Sequence, residues 1–155
     1  LYSFTEQMES LGKVPTTKVL SFSEITIDQQ LASKMDLEPS EEVFRVVRLR
    51  FADDVPIMYE TTYLPKRIFP NLTATDLVKR PMYDIFRQDY QAGVTKAVEH
   101  FSAALINKKE SQYLQTAVDQ SGMLIKRFAY HNDTLIAYTV SVVRGNQFEY
   151  TVELT

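Results

Sequence analysis

The feature that most constrains the fold is a predicted β-hairpin in the middle of the chain, with the sequence RLRFADDVPIMYETTYLP over residues 48–65. Two runs rich in β-branched and aromatic residues flank Asp53-Asp54, a pattern typical of antiparallel strands joined by a tight turn. Residues two apart on a strand point to the same face, so Arg48 and Arg50 project together. Glu60 on the second strand is placed to face them.

The pairing register decides whether Glu60 lies on the arginine side. If Ala52 pairs with Pro56, Arg48 lies opposite Glu60, whereas a two-residue loop that pairs Ala52 with Val55 puts Glu60 on the other face. We predict the first register. Two interpretations stay open: a site for an anion with a polar body, such as a sugar phosphate, or a surface ion-pair ladder worth about 0–1 kcal/mol.

Composition indicates one globular domain over residues 1–155, with 45% apolar and 24% charged residues. We expect no membrane span and no secretory signal, because the chain has neither a long uncharged apolar run nor a basic segment before a shorter one. The absence of cysteine excludes disulfides and fits the cytoplasm. A net charge of −3 makes non-specific nucleic-acid binding by this chain unfavourable.

Long strand-like runs alternate with short helices. The predicted strands are 17–27, 43–52, 56–64, 94–106, 122–130, 135–144 and 148–154, and the predicted helices are 3–12, 28–35, 73–78, 82–90 and 109–117. Pro81 is expected at the first position of the fourth helix. Turn residues at 53–54, 132–133 and 145–146 favour antiparallel hairpins, so the predicted class is α+β, with short helices against an antiparallel sheet.

Motifs for catalysis and metal binding are missing. His100 and His131 are the only histidines, and neither has a histidine or cysteine at ligand spacing. There is no glycine-rich phosphate loop, dinucleotide fingerprint or serine elbow. The acidic pairs Glu41-Glu42 and Asp53-Asp54 are expected in solvent. We therefore expect no catalytic residue, no metal and no cofactor.

The start of the chain offers a second contact for an anion. Ser3 with Glu6 three residues later forms a capping box. The free N–H groups of Phe4 and Thr5 at this helix start carry partial positive charge and suit a phosphate. The simpler interpretation is that Ser3 only caps the helix.

Four segments in order resemble the UTRA domain, the effector-binding half of HutC-subfamily GntR-type bacterial transcription regulators. These are SFTEQMESLGKVPTTKVL, FRVVRLRFADDVPIMYETTYLP, RPMYDIF and YTVSVVRGNQFEYTVEL. The resemblance covers essentially the whole chain. It implies a chorismate-lyase-like antiparallel sheet of about six strands, and a DNA-binding N-terminal winged helix-turn-helix that this chain lacks. It also implies a homodimer, and the strands near Val140 and Val152 are candidate dimer edges.

The resemblance implies a site for a small anionic effector. In members that bind sugar phosphates, the phosphate lies at a helix start matched by Phe4 and Thr5, and an arginine strand and a glutamate match Arg48, Arg50 and Glu60.

This chain departs from that pattern at three positions. A Ser-x-Tyr element becomes Pro81-Met82-Tyr83, which keeps Tyr83 and loses the hydroxyl at Pro81. An acidic residue and a tyrosine of the pocket fall near Ala137 and Val143, where this wall becomes smaller and more apolar. Packed core is the stronger interpretation for both Ala137 and Val143. As pocket positions, they favour a larger or less polar effector than an amino-sugar phosphate.

The expected function is ligand sensing by a bacterial transcription repressor, in which effector binding controls DNA binding allosterically. Arg50 either orients the effector or holds Glu60. Two alternatives stay open: a small lyase-like enzyme that uses Arg48 and Glu60, and a dimerisation module without a ligand.

Overall fold

The structure, a computed structural model, describes residues 8–149 and 153–155. Six antiparallel strands form one sheet. They are β1 (Pro15–Thr26), β2 (Glu42–Ala52), β3 (Val55–Pro65), β4 (Lys96–Leu105), β5 (Ser121–His131) and β6 (Thr134–Arg144). The helices are α1 (Gln29–Met35), α2 (Ala74–Lys79), α3 (Met82–Tyr90) and α4 (Lys108–Leu114), and a 3-10 turn covers Gly145–Gln147. The predicted α+β class is confirmed.

Local signals set the helix boundaries. The Asp28 carboxylate accepts a hydrogen bond from the Leu31 N–H at 2.8 Å, which caps α1 as its sequence predicts. Thr73 and Asn107 each form a capping box, at the starts of α2 and α4. Pro81 occupies the N-cap of α3, one position before the predicted one.

The strand order β1-β2-β3-β6-β5-β4 places β6 between β3 and β5. Both edges of β6 are therefore hydrogen-bonded, and it cannot pair with a following strand. This explains why the predicted third hairpin is wrong: Gly145–Gln147 forms a 3-10 turn, and Phe148 and Glu149 are not in a strand. The remaining part of that predicted strand includes residues 150–152, outside the described residues. The same pairing rules out the strand of Val140 as a dimer edge.

Helices cover both faces of the sheet. We name the face that carries Arg48 and Glu60 the arginine face, and α2 and α3 pack on it through a core that includes the fully buried Ile85 and Phe86. The opposite face packs against α1 around Met35 and against α4 around residues 106 and 114. Because side chains alternate along each strand, the two faces carry separate cores.

Candidate functional site

The central hairpin brings Arg48 opposite Glu60, as predicted, by a different route from the one expected. Ala52 pairs with Val55 across a two-residue loop and Phe51 pairs with Pro56, and a bulge then inserts Ile57 before Arg50 pairs with Met58. One extra residue on β3 reverses the parity of the strand beyond it, so Glu60 returns to the arginine face. The predicted pairing of Ala52 with Pro56 is therefore wrong, and the two-residue loop is present instead. The predicted pairing of Arg48 with Glu60 is confirmed.

The two arginines and the glutamate form a buried cluster. Arg48 Nη2 donates to Glu60 Oε1, and Arg50 Nη1 lies 3.3 Å from the same oxygen. Ser141 Oγ lies 3.4 Å from Glu60 Oε2. The three charged residues are only 6–7% exposed. A surface ion-pair ladder is therefore the wrong description, and the cluster has a desolvation cost that surface pairs lack.

Electrostatics keep Glu60 and Arg50 charged at neutral pH. Burial raises the pKa of Glu60, but Arg48 and Arg50 outweigh this effect and hold it at about 2. Burial and the charge of Arg48 lower the pKa of Arg50 to about 10, against the attraction of Glu60. The cluster carries one excess positive charge. Arg48 Nε is buried and has no hydrogen-bond partner among the described residues, an open donor for a ligand oxygen.

Tyr83 lies near enough to the cluster to interact with its charges, and Pro81 contributes no side-chain polar atom. Tyr83 lies in the first turn of α3 and packs against Phe86 with ring centroids 5.5 Å apart. Burial raises its pKa, the charge of Arg127 opposes this, and Glu60 raises it further, so the hydroxyl lies within electrostatic reach of the cluster. Pro81 is exposed at the helix N-cap.

The wall formed by β6 combines apolar ends with a polar middle. Ala137 and Val143 are 2% and 3% exposed, in agreement with packed core. Between them, Thr139 Oγ1 lies 3.0 Å from Thr62 Oγ1, and Ser141 contacts the cluster. The predicted small wall is present, but it also offers hydroxyl groups.

Sequence reasoning missed Arg127. This residue lies opposite Thr139 on β5, its guanidinium is 5.4 Å from the Tyr83 ring centroid, and it forms a 3.9 Å ion pair with Glu99. It adds a third guanidinium to the arginine face near Tyr83. Strand alternation could have placed it on this face only if the β5–β6 register had been known.

The structure gives little information on the remaining predictions. Phe4 and Thr5 lie outside the described residues, so their phosphate contact stays a prediction. Within residues 8–149 and 153–155, no group of three or more histidine, cysteine or acidic side chains could hold a metal. In the same part of the chain, no helix has the length and apolar content needed to cross a membrane.

Comparison with known proteins agrees with this architecture. The chain is 27% identical over 150 residues to YurK, an uncharacterised HTH-type transcriptional regulator of Bacillus subtilis, covering 96% of this chain and 62% of the relative. It is 24% identical to the HTH-type transcriptional repressor NagR of the same organism, covering 97% and 62%. The chain thus spans less than two thirds of these relatives.

A solved structure and a family model point the same way. The effector domain of PhnF from Mycobacterium smegmatis matches with a TM-score of 0.91 at 25% identity, covering 99% of this chain and 94% of that domain. The model of the UTRA domain matches residues 10–149. The resemblance noted in the sequence is confirmed: this chain belongs to the UTRA domain family, the effector-binding domains of GntR-type transcription regulators.

Proposed function

We propose that this chain is the sensor domain of a HutC-subfamily transcription repressor, and that its effector is a small anion, with a sugar phosphate as the best-fitting class. The observation that carries the proposal is the buried Arg48–Arg50–Glu60 cluster, with its excess positive charge and its open Arg48 Nε donor. Buried charges of one sign that are not fully compensated favour a ligand of the opposite sign.

Each group in the cluster has a separate role in this proposal. Arg48 binds the phosphate together with the N–H groups of Phe4 and Thr5. Glu60 accepts hydrogen bonds from hydroxyl groups of the polar body, and Arg50 holds the Glu60 carboxylate in position. A charge-assisted hydrogen bond in a buried site contributes about 1.5–3 kcal/mol.

Binding requires the cluster to open, because its three side chains are almost fully enclosed in this structure. Arg48 then exchanges its bond with Glu60 for a bond with the ligand phosphate. An effector shifts an equilibrium only by its different affinities for the two states. The rearrangement of Arg48 supplies that difference, and we expect it to change DNA affinity through a DNA-binding segment of the full-length regulator.

A proton-transfer enzyme is a weaker candidate on the same fold. A general acid has to be protonated at the working pH, and a carboxyl with a pKa of about 2 is ionised throughout the neutral range. Both curated relatives described above are named as transcriptional regulators. We therefore infer a non-catalytic role. We also propose that the domain acts as a homodimer in the cytoplasm, which is what the family resemblance implies.

A thermal-shift screen tests the proposal. The chain is heated with phosphorylated sugars, the matching plain sugars and inorganic phosphate. A ligand at about 100 times its Kd should stabilise the fold by roughly 2.7 kcal/mol. We expect a selective response to a phosphorylated sugar, lost in Arg48→Gln and kept in Arg67→Gln, whose side chain is 59% exposed. A response to plain sugars alone, or one unchanged in Arg48→Gln, contradicts the proposal.

A further inference from the structure

Two adjoining hollows lie on the face of the sheet opposite the arginine cluster. Their volumes are about 360 and 340 Å³, within the range of small-molecule sites. Lys34 of α1 and Tyr138 of β6 line both hollows, and we treat the two neighbouring hollows as a single depression beside α1 and the sheet. We call this depression the cationic hollow.

Three cations surround the hollow. Arg45 lines the first part, Lys126 lines the second, and Lys34 lies between them. Among the residues that the structure describes, none of the three has a carboxylate oxygen within 4 Å. The one acidic residue in the lining, Asp28, has its carboxylate engaged as the cap of α1.

The sheet fixes the floor of the hollow. Tyr63, Tyr138 and Phe128 are neighbours on three adjacent strands, with ring centroids 6.1 and 4.7 Å apart. Arg45 lies directly opposite Tyr63 in the β2–β3 register. Arg45, Tyr63 and Phe128 are only partly exposed. Strand pairing and the packed rings fix the backbone positions from which Arg45 and Lys126 project.

This arrangement differs from an ordinary charged surface in two respects: its cations lack acidic partners in the described part of the chain, and two of them have no role in the local secondary structure. Other partly exposed cations of this chain are paired with acids, as Lys66 is with Glu24 and Arg80 with Asp89. Lys34 has a local role, since a cation in the last turn favours the helix dipole of α1. Arg45 and Lys126 project from strand positions, where no helix dipole explains them.

We propose that the cationic hollow is a second ligand site, which binds a small anion with at least two separated negative charges. It is distinct from the arginine cluster, because it lies on the other face of the sheet. The two sites nevertheless share strands: Glu60 and Tyr63 are on β3, and Tyr138 and Ser141 are on β6. A ligand that shifts β3 or β6 at one site would therefore also shift residues of the other site. Any such coupling between the two binding affinities is reciprocal.

Calorimetric titration at fixed ionic strength tests the proposal, with citrate and pyrophosphate as probes and acetate as the singly charged control. We expect both probes to bind at least tenfold more tightly than acetate. The double variant Arg45→Gln with Lys126→Gln should lose that advantage. A control with the same net charge, Lys79→Gln with Lys109→Gln, should keep it, because both lysines are exposed and lie outside the hollow.

Three outcomes overturn the proposal. Equal losses in the two double variants would show non-specific attraction. A loss in Arg48→Gln with no loss in the Arg45 and Lys126 variant would place the anion in the arginine cluster. Sedimentation that shows a dimer, dissociated by the Arg45 and Lys126 changes and unaffected by the probes, would assign this face to contact with a second copy of the chain.

Discussion

Replacing Glu60 with glutamine tests the electrostatic description of the cluster most directly. The substitution keeps the shape and removes the negative charge, so Arg48 and Arg50 remain buried without their counter-ion. Breaking a buried ion pair in this way costs about 3–5 kcal/mol. A surface ladder would lose no more than about 1 kcal/mol.

The pKa of Glu60 gives an independent magnitude. A fall from an ordinary value of 4.5 to about 2 corresponds to about 3 kcal/mol. Because the pKa in the folded state is lowered, this stability is present above pH 4.5 and is lost as the pH falls towards 2. The lowered pKa of Arg50 corresponds to a destabilisation of similar size, because its charged form is disfavoured in the folded state. Burial of Arg50 therefore offsets most of the stability gained at Glu60. The whole cluster then adds little net stability, although removal of one member is costly.

Urea denaturation of wild type, Glu60→Gln and the apolar triple variant Arg48→Met, Arg50→Leu, Glu60→Leu separates these effects. At pH 7 we expect a loss of about 3–5 kcal/mol for Glu60→Gln and a much smaller loss for the triple variant. The difference between wild type and Glu60→Gln should shrink between pH 4.5 and 2. A loss below 1 kcal/mol for Glu60→Gln, or a difference that does not depend on pH, would refute the reasoning.

Three further predictions concern the fold. Gly145→Ala should cost about 1–3 kcal/mol in a urea titration, because its Cβ would lie 2.7 Å from the Ser121 carbonyl oxygen; an unchanged midpoint would contradict this contact. Phe86→Ala should cost about 3–5 kcal/mol by the same assay, since the ring is fully buried and stacks on Phe69 at 4.5 Å; a loss under 1 kcal/mol would argue against this core. Asp54→Gly should raise stability by up to about 1 kcal/mol, because the left-handed conformation at φ 65° costs an L residue about 1–2 kcal/mol and the more flexible unfolded chain of the glycine variant offsets about 0.4–1 kcal/mol of that; a lower melting temperature would show that the Asp54 side chain supports the turn.

Local chemistry made much of the fold predictable from sequence. The capping role of Asp28 and the two strands around Asp53-Asp54 depend on neighbouring residues alone, and both are present. The bulge at Ile57 could not be read in this way. Nothing in the sequence of β3 distinguishes an inserted residue from a regular one, because the surrounding sheet determines which residues pair.

Long-range pairing explains the remaining differences. A strand after Gly145 was a reasonable local prediction, but it needs a free edge on β6, and β3 occupies that edge. Arg127 was missed for the same reason, since its place on the arginine face depends on how β5 aligns with β6. The site residues Arg48, Arg50 and Glu60 could be predicted from the sequence because a single hairpin contains all three.

The strand order also has a consequence for how the chain folds. β1 to β3 and β4 to β6 are each built from sequential antiparallel neighbours, and the strand pairing that joins the two halves of the sheet is that of β3 with β6. That seam joins residues about 80 positions apart, such as Glu60 and Ser141, so its formation carries the largest loop-closure cost. We therefore expect the halves to form early and the seam to close late. The candidate effector site lies across this seam, so it is completed in the last step of folding.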